Sequence, residues 1–296
     1  MARDSKLEVA AINIRIPEDR ERDYVALLKV LAGLKRGMKV YGDTAVAIQS
    51  FDAKTRTGLF SKFTEIDVSG DWFDVEEFAQ AKPEDKESIQ IPDKLRPNYS
   101  AFYFRIDPEL HVVAFEIYSL SKSLSPRAVR RYFQQACMHP SVTRRFGNVQ
   151  ADIVNSFKDA DRLLRLPNIK EVEFIIRRPN SDDIGEDLAA AIEEQLTSQN
   201  ADEYHELIKS SGHGGGIKPN ARSLRLGTVA AENGEMRVIN LTNGVPTIHG
   251  TEPVPLCEGT KYKQDDDSVW DVFLKLSTKI FETIKSAREA NVKKSN

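Results

Sequence analysis

The sequence predicts a mixed α+β chain of two domains: an N-terminal antiparallel sheet with helices over 1–147, and a C-terminal βαβαβ-type, ferredoxin-like unit with a long terminal helix over 148–296. Three observations predict it. Apolar, β-branched runs separated by turn residues fill the first half. Strand and helix patterns alternate between Asn148 and Ser210. Ser268 to Ala290 repeats apolar residues at helical spacing.

Leu7 to Ile16 reads as a strand ended by Pro17. Asp19 to Leu34 reads as a helix, because Tyr24, Leu27, Leu28, Leu31 and Leu34 recur at three and four, and Gly33 and Gly37 mark its end. Val40 to Phe51 and Thr57 to Val68 form a hairpin across the polar stretch Asp52 to Arg56. A short helix is expected over Asp71 to Ala81, then a long surface loop over 82–98 with Pro83, Pro92 and Pro97. Tyr99 to Ile106 and His111 to Leu120 make a second hairpin about Asp107-Pro108-Glu109-Leu110. Ser125 before Pro126 starts a helix that runs to about His139, where Pro140 stops it.

Beyond 147, Val149 to Phe157, Val172 to Arg178 and Tyr204 to Ser210 read as strands, with Lys158 to Leu166 and Ile184 to Leu196 as helices between them. Residues 212–219 are glycine-rich, hence a hinge or a tightly turned loop. Short strands follow near Leu224 to Val229, Glu235 to Leu241 and Val245 to His249, with Asn243-Gly244 as a turn. The terminal helix places Val269, Phe273, Leu276, Ile280 and Ile284 on one stripe, and Asp265, Asp266 and Asp267 favour its positive end. Trp270 and Phe281 extend the apolar surface beyond that stripe and need a second cover. A two-fold partner supplies one, which predicts a homodimer; the two domains of the same chain supply another. If the helix returns to the first domain, the domains are discontinuous.

Composition narrows the function classes. Forty per cent hydrophobic residues suffice for a sizeable core, and 42 Lys plus Arg against 45 Asp plus Glu leave a net charge of -3. Nucleic-acid contact therefore has to rest on local patches. Two cysteines, Cys137 and Cys257, suit a reducing compartment and make no disulfide framework. No apolar run approaches the ~20 residues of a membrane span, and MARDSKLEVA lacks a signal-peptide core. The expectation is a cytoplasmic protein without membrane insertion.

Between Glu116 and Asp152 there is no acidic residue, while Lys122, Arg127, Arg130, Arg131, Arg144 and Arg145 give the span a charge of +6. Arg127, Arg130 and Arg131, with Gln134, fall at three and four spacing on the helix that Ser125 caps. Arginine suits phosphate because its planar fork donates two parallel hydrogen bonds, and a helix N-terminus adds partial positive charge. A second acid-free span, Glu206 to Glu232, holds Lys209, Lys218, Arg222 and Arg225, with His213 beside Gly212, Gly214, Gly215 and Gly216. Arg127, Arg130, Arg131, Arg144 and Arg145 are thus candidate contacts to a duplex backbone, closed upon by Lys218, Arg222 and Arg225. The alternative is a solvated helix face whose arginines pair with distant carboxylates.

Other chemistry finds little footing. The glycine run is followed by no Gly-Lys-Ser/Thr and is no dinucleotide fingerprint. His213-Gly214-Gly215-Gly216 matches an esterase oxyanion run, but no Gly-x-Ser-x-Gly elbow exists. His111, His139, His205, His213 and His249 show no metal-ligand spacing, and Cys137 with His139 lacks two further ligands. Glu84-Asp85-Lys86 fits only the tripeptide of a nuclease centre, and no lysine follows Glu171 and Glu173 at the needed offset. No catalytic residue, metal or cofactor is expected.

Ile153-Val154-Asn155-Ser156-Phe157, then Ala160-Asp161-Arg162-Leu163-Leu164, then Val172-Glu173-Phe174-Ile175-Ile176-Arg177-Arg178-Pro179, with the glycine loop and terminal helix after them, form a layout. It resembles a bacterial family of unknown function linked to phage defence, and with it the phage-exclusion protein RexA and, more remotely, KwaB of the Kiwa system. The likeness covers the last half to two thirds of the chain and is one of pattern, without a diagnostic motif. It implies non-specific binding of double-stranded DNA, a homodimer, a possible second defence-system subunit and no catalytic site. It transfers no residue roles. The classes left beside it are a metal-dependent nuclease or other effector enzyme, and a structural partner subunit.

Overall fold

A computed structural model describes residues 4–293 other than 88, 90, 180–186, 212–214, 253, 264 and 266. Strand β1 (Asp4–Arg15) is central. Leu7, Val9 and Ala11 serve one core and Ala10, Ile12 and Ile14 another, all fully buried, which explains its nearly unbroken apolar sequence. Helix α1 (Tyr24–Gly33) begins later than its pattern, because the Asp23 carboxylate accepts from Ala26 N–H. The expected strand 40–51 is two strands, β2 (Met38–Tyr41) and β3 (Thr44–Asp52), folded back at Gly42, whose φ is +48°. β4 (Thr57–Thr64) pairs with β3 as expected.

Residues 71–81 are not helical. They hold a two-stranded hairpin, β5 (Phe73–Asp74) and β6 (Ala79–Gln80). Asp74 accepts from the Glu76 and Glu77 N–H groups, and this turn outweighs helix propensity. The following loop contains α2 (Pro83–Glu87). β7 (Ser100–Asp107) and β8 (Val112–Ser119) form the second hairpin, and β9 (Lys122–Ser123) folds back on β8. Ser125 caps α3 (Pro126–Ala136) through Ala128 N–H. Pro140 does more than end that helix: it opens α4 (Pro140–Phe146), which His139 caps.

The chain continues as β10 (Gln150–Ile153), α5 (Phe157–Leu164), β11 (Ile169–Arg177), α6 (Asp187–Ser198), β12 (Glu203–Lys209), α7 (Ala221–Asn233), β13 (Gly234–Thr242), β14 (Val245–Gly250), β15 (Cys257–Lys263) and α8 (Val269–Lys293). The expected strand at 224–229 is part of α7. Asn220 caps it, and Leu226, Val229 and Ala230 turn inward at helical spacing that a six-residue window does not reveal. Residues 184–186 of the expected helix and 212–214 of the glycine loop lie outside the described residues.

The larger sheet runs β10-β1-β8-β7-β4-β3-β2, with β9 on β8. β15 pairs with the first half of β1 and β10 with its second half. The smaller sheet, β12-β11-β13-β14, is antiparallel throughout, with α5 and α7 on one face. β10 thus leaves the expected ferredoxin-like unit for the larger sheet, because Ile153 and Ala151 complete its core. Residues on both sides of 147 build that sheet. α8 packs on it too, with Phe273, Ile280 and Ile284 fully buried against Leu7, Val9, Val112 and Ala114. Trp270 leans on Tyr103 at 4.9 Å, and Phe281 is buried under Arg105. The surplus apolar residues of the terminal helix are therefore covered within the chain.

Helices α6 and α7 join β1 and α8 through buried polar bonds. Asn13 Nδ2 donates to Asn233 Oδ1 at 2.9 Å, Arg15 pairs with Glu193, and Arg288 pairs in a fork with Glu232.

Candidate nucleic-acid interface

The acid-free span folds into α3 and α4, and α3 touches both edge strands of the larger sheet, β2 and β10. Its inner face inserts Val129, Tyr132, Phe133 and Ala136 into the core. Its outer side carries the arginines, and the structure sends them in three directions. Arg127 is exposed and lies 3.6 Å from Glu252, in the link between β14 and β15. Arg130 turns toward β10 and lies 3.3 Å from Asp152, which Arg177 also engages at 2.9 Å. Arg131 turns toward β2 and donates to the Val40 carbonyl at 2.8 Å, while Gln135 donates to the Lys39 carbonyl at 2.7 Å. These last two bonds cover carbonyls on the open edge of the sheet. Arg130 and Arg131 are therefore partly structural.

On α4, Arg144 is exposed and Arg145 makes a two-pronged bond to Glu21 at 2.9 and 3.1 Å, stacked over Phe146. The Arg145 guanidinium holds the Glu21 carboxyl below its usual range. Lys35 and Arg36, on the connection between α1 and β2, and Lys39, on β2, are also exposed; α4 contacts α1 and α3 contacts β2. Sequence reasoning missed these three, although Lys35-Arg36 with Lys39 was a visible basic cluster.

The second basic group stays apart. Lys218 is exposed ahead of α7. Arg222 is bonded to Glu206 at 2.6 Å and to the Tyr204 hydroxyl at 3.3 Å, and Arg225 is half-buried with its Nε lacking a hydrogen-bond partner. Arg222 sits at the N-terminal end of α7, whereas Asn233 at the other end meets β1, about 16 Å away along the helix. Among the described residues, no bond or ion pair links Lys218, Arg222 or Arg225 to the α3 arginines. His213 lies outside the described residues.

Among the described residues, no group of three or more His, Cys, Asp or Glu side chains is placed to hold a metal ion. Glu171 pairs with Lys209, and Glu173 faces Arg237 and His205, on the helix-free face of the smaller sheet. Glu84, Asp85 and Lys86 lie on α2, which buries no residue.

These features describe a mixed α+β protein with a basic helix pair, α3 and α4, packed on its larger sheet. The chain belongs to a family defined by a domain of unknown function (DUF4747), whose model matches residues 5–278. A search among curated proteins returns no match. No helix among the described residues is long and apolar enough to cross a membrane.

Proposed function

We propose that the protein binds duplex nucleic acid through its phosphates, without acting on it chemically, as a cytoplasmic component of bacterial phage exclusion. The observation that carries this reading is the acid-free span folding into α3 and α4, beside exposed Lys35, Arg36 and Lys39. Arg127, Arg144 and Arg145 project from this surface, and an exposed ion pair to Glu252 or Glu21 is weak enough to exchange for phosphate. The defence setting rests on the likeness to RexA and KwaB.

The test is a salt-titrated gel shift with duplex DNA, duplex RNA and single strand, with and without Mg²⁺. Arg127→Ala with Arg144→Ala leaves the edge bonds of Arg131 intact and isolates the surface. The slope of log affinity against log salt should shrink by about one for each phosphate that is no longer neutralised, equally across sequences. Unchanged slope and affinity would overturn the reading, and Mg²⁺-dependent cleavage would replace it with a nuclease.

A further inference from the structure

Residues 65–99 leave the larger sheet between two strands that are already neighbours, since Lys62 of β4 faces Ser100 of β7. The excursion is pinched at its root by Thr64 N–H to the Pro97 carbonyl (2.9 Å) and Glu65 N–H to the Asp43 carbonyl (2.7 Å). None of its described residues is buried. It nevertheless exposes Val68, Phe73, Val75, Phe78, Leu95 and Tyr99, with the rings of Phe73 and Phe78 packed edge-on at 5.1 Å on the hairpin. Ten acids against four bases give it a charge of -6. Apolar side chains exposed on an acidic arm suit a basic, partly apolar cover.

That cover is present on the same molecule. The span 117–151 carries +6; Tyr41, next to the Val40 carbonyl that Arg131 covers, and Met138, just past the end of α3, are 78% and 75% exposed. The arm's root borders this surface: Lys39 lies 3.7 Å from Asp43, whose carbonyl holds Glu65. A two-fold axis at that border carries each arm onto the other copy's basic face, the self-complementary geometry of an isologous pair. We propose that the 65–99 arm docks on the α3–α4 and β2 face of a second copy, with Phe73 and Phe78 set among Tyr41 and Met138 and its acids against Arg36, Lys39 and Arg144.

Light scattering without nucleic acid tests the pairing. The wild type should have twice the mass of the 33.3 kDa chain at about 0.05 M salt and approach 33.3 kDa at about 0.5 M. Phe73→Ser with Phe78→Ser on the arm, and Arg36→Glu with Arg144→Glu on the face, alter exposed side chains. Each variant alone should be a folded monomer. Mixing the two restores one of the two docked arms, so the mixture should again contain dimer. A wild type of 33.3 kDa under every condition, a dimer that survives both variants, or a mixture that stays monomeric overturns the proposal. Duplex binding by the arm variant separately reads the proposed function, so either can fail without the other.

Discussion

Replacing Glu116 by glutamine should remove a loss of stability that the wild type suffers near neutral pH. Glu116 lies on β8 where the ladder to β7 ends: backbone pairing stops at Phe104 and Phe115, and Tyr103 N–H donates to Glu116 Oε2 at 2.9 Å. The residue is 2% exposed, and its Oε1 has no hydrogen-bond partner. Burial pushes the carboxyl from near 4.5 up to about 7, against the lowering effects of Tyr103 N–H and the Ser119 hydroxyl. A carboxyl with a raised folded pKa holds its proton more tightly in the folded state. Its contribution is therefore complete below the unfolded value and is lost as pH rises through about 7. The interval between 4.5 and about 7 corresponds to about 3.5 kcal/mol at ~1.4 kcal/mol per pH unit. Glutamine stays neutral and keeps an acceptor for Tyr103. Urea unfolding at about pH 5 and about pH 8 should show the wild type losing up to about 2.5 kcal/mol more than Glu116→Gln, since part of the loss is already taken below pH ~5. Parallel pH dependence in the two proteins would refute the reasoning.

Arg288→Met leaves Glu232 buried without its guanidinium and should cost about 3–5 kcal/mol by denaturant unfolding, and adding Glu232→Gln should recover part of that. Phe281→Asp buries a charge in the core shared by α8 and β1, so the product should be insoluble or unfolded, not a folded monomer, as its solubility and circular dichroism will show. Gly234→Ala drives a β carbon into the Ile175 carbonyl and should lower stability by about 2 kcal/mol or more in thermal melts. Arg130→Ala should lower the melting temperature because Asp152 is nearly buried, whereas Arg127→Ala should move it little.

Elements whose signals are local were readable from the chain. Ser125-Pro126 marks the start of α3 and Asp107-Pro108 the β7–β8 turn, because caps and turns are decided within four residues. The α+β class and the α8 stripe were readable for a similar reason, since periodicity over many residues outweighs single exceptions. The hairpin at 73–80 was not, because Asp74 redirects the backbone of an otherwise helix-compatible stretch. Nor was the destination of β10 and β15. Any apolar strand can extend any sheet with a free edge, and only the shared β1 edge shows that these two lie end to end.

The basic surface shows the same division more sharply. An absence of acids between Glu116 and Asp152 is a property of one segment, so the sequence displays it directly. Whether each arginine is free depends on carboxylates and carbonyls brought from elsewhere. Glu21 reaches Arg145 from ahead of α1, Glu252 reaches Arg127 from beyond β14, and Val40 receives Arg131 from β2. Spacing put Arg127, Arg130 and Arg131 on one face, but Arg130 and Arg131 are about 100° apart around the helix, enough to reach opposite edges of the sheet. The same angle that gives α3 its basic face divides its arginines between surface and structure, which is why the phosphate test falls on Arg127 and Arg144 and not on the Arg130–Arg131 pair.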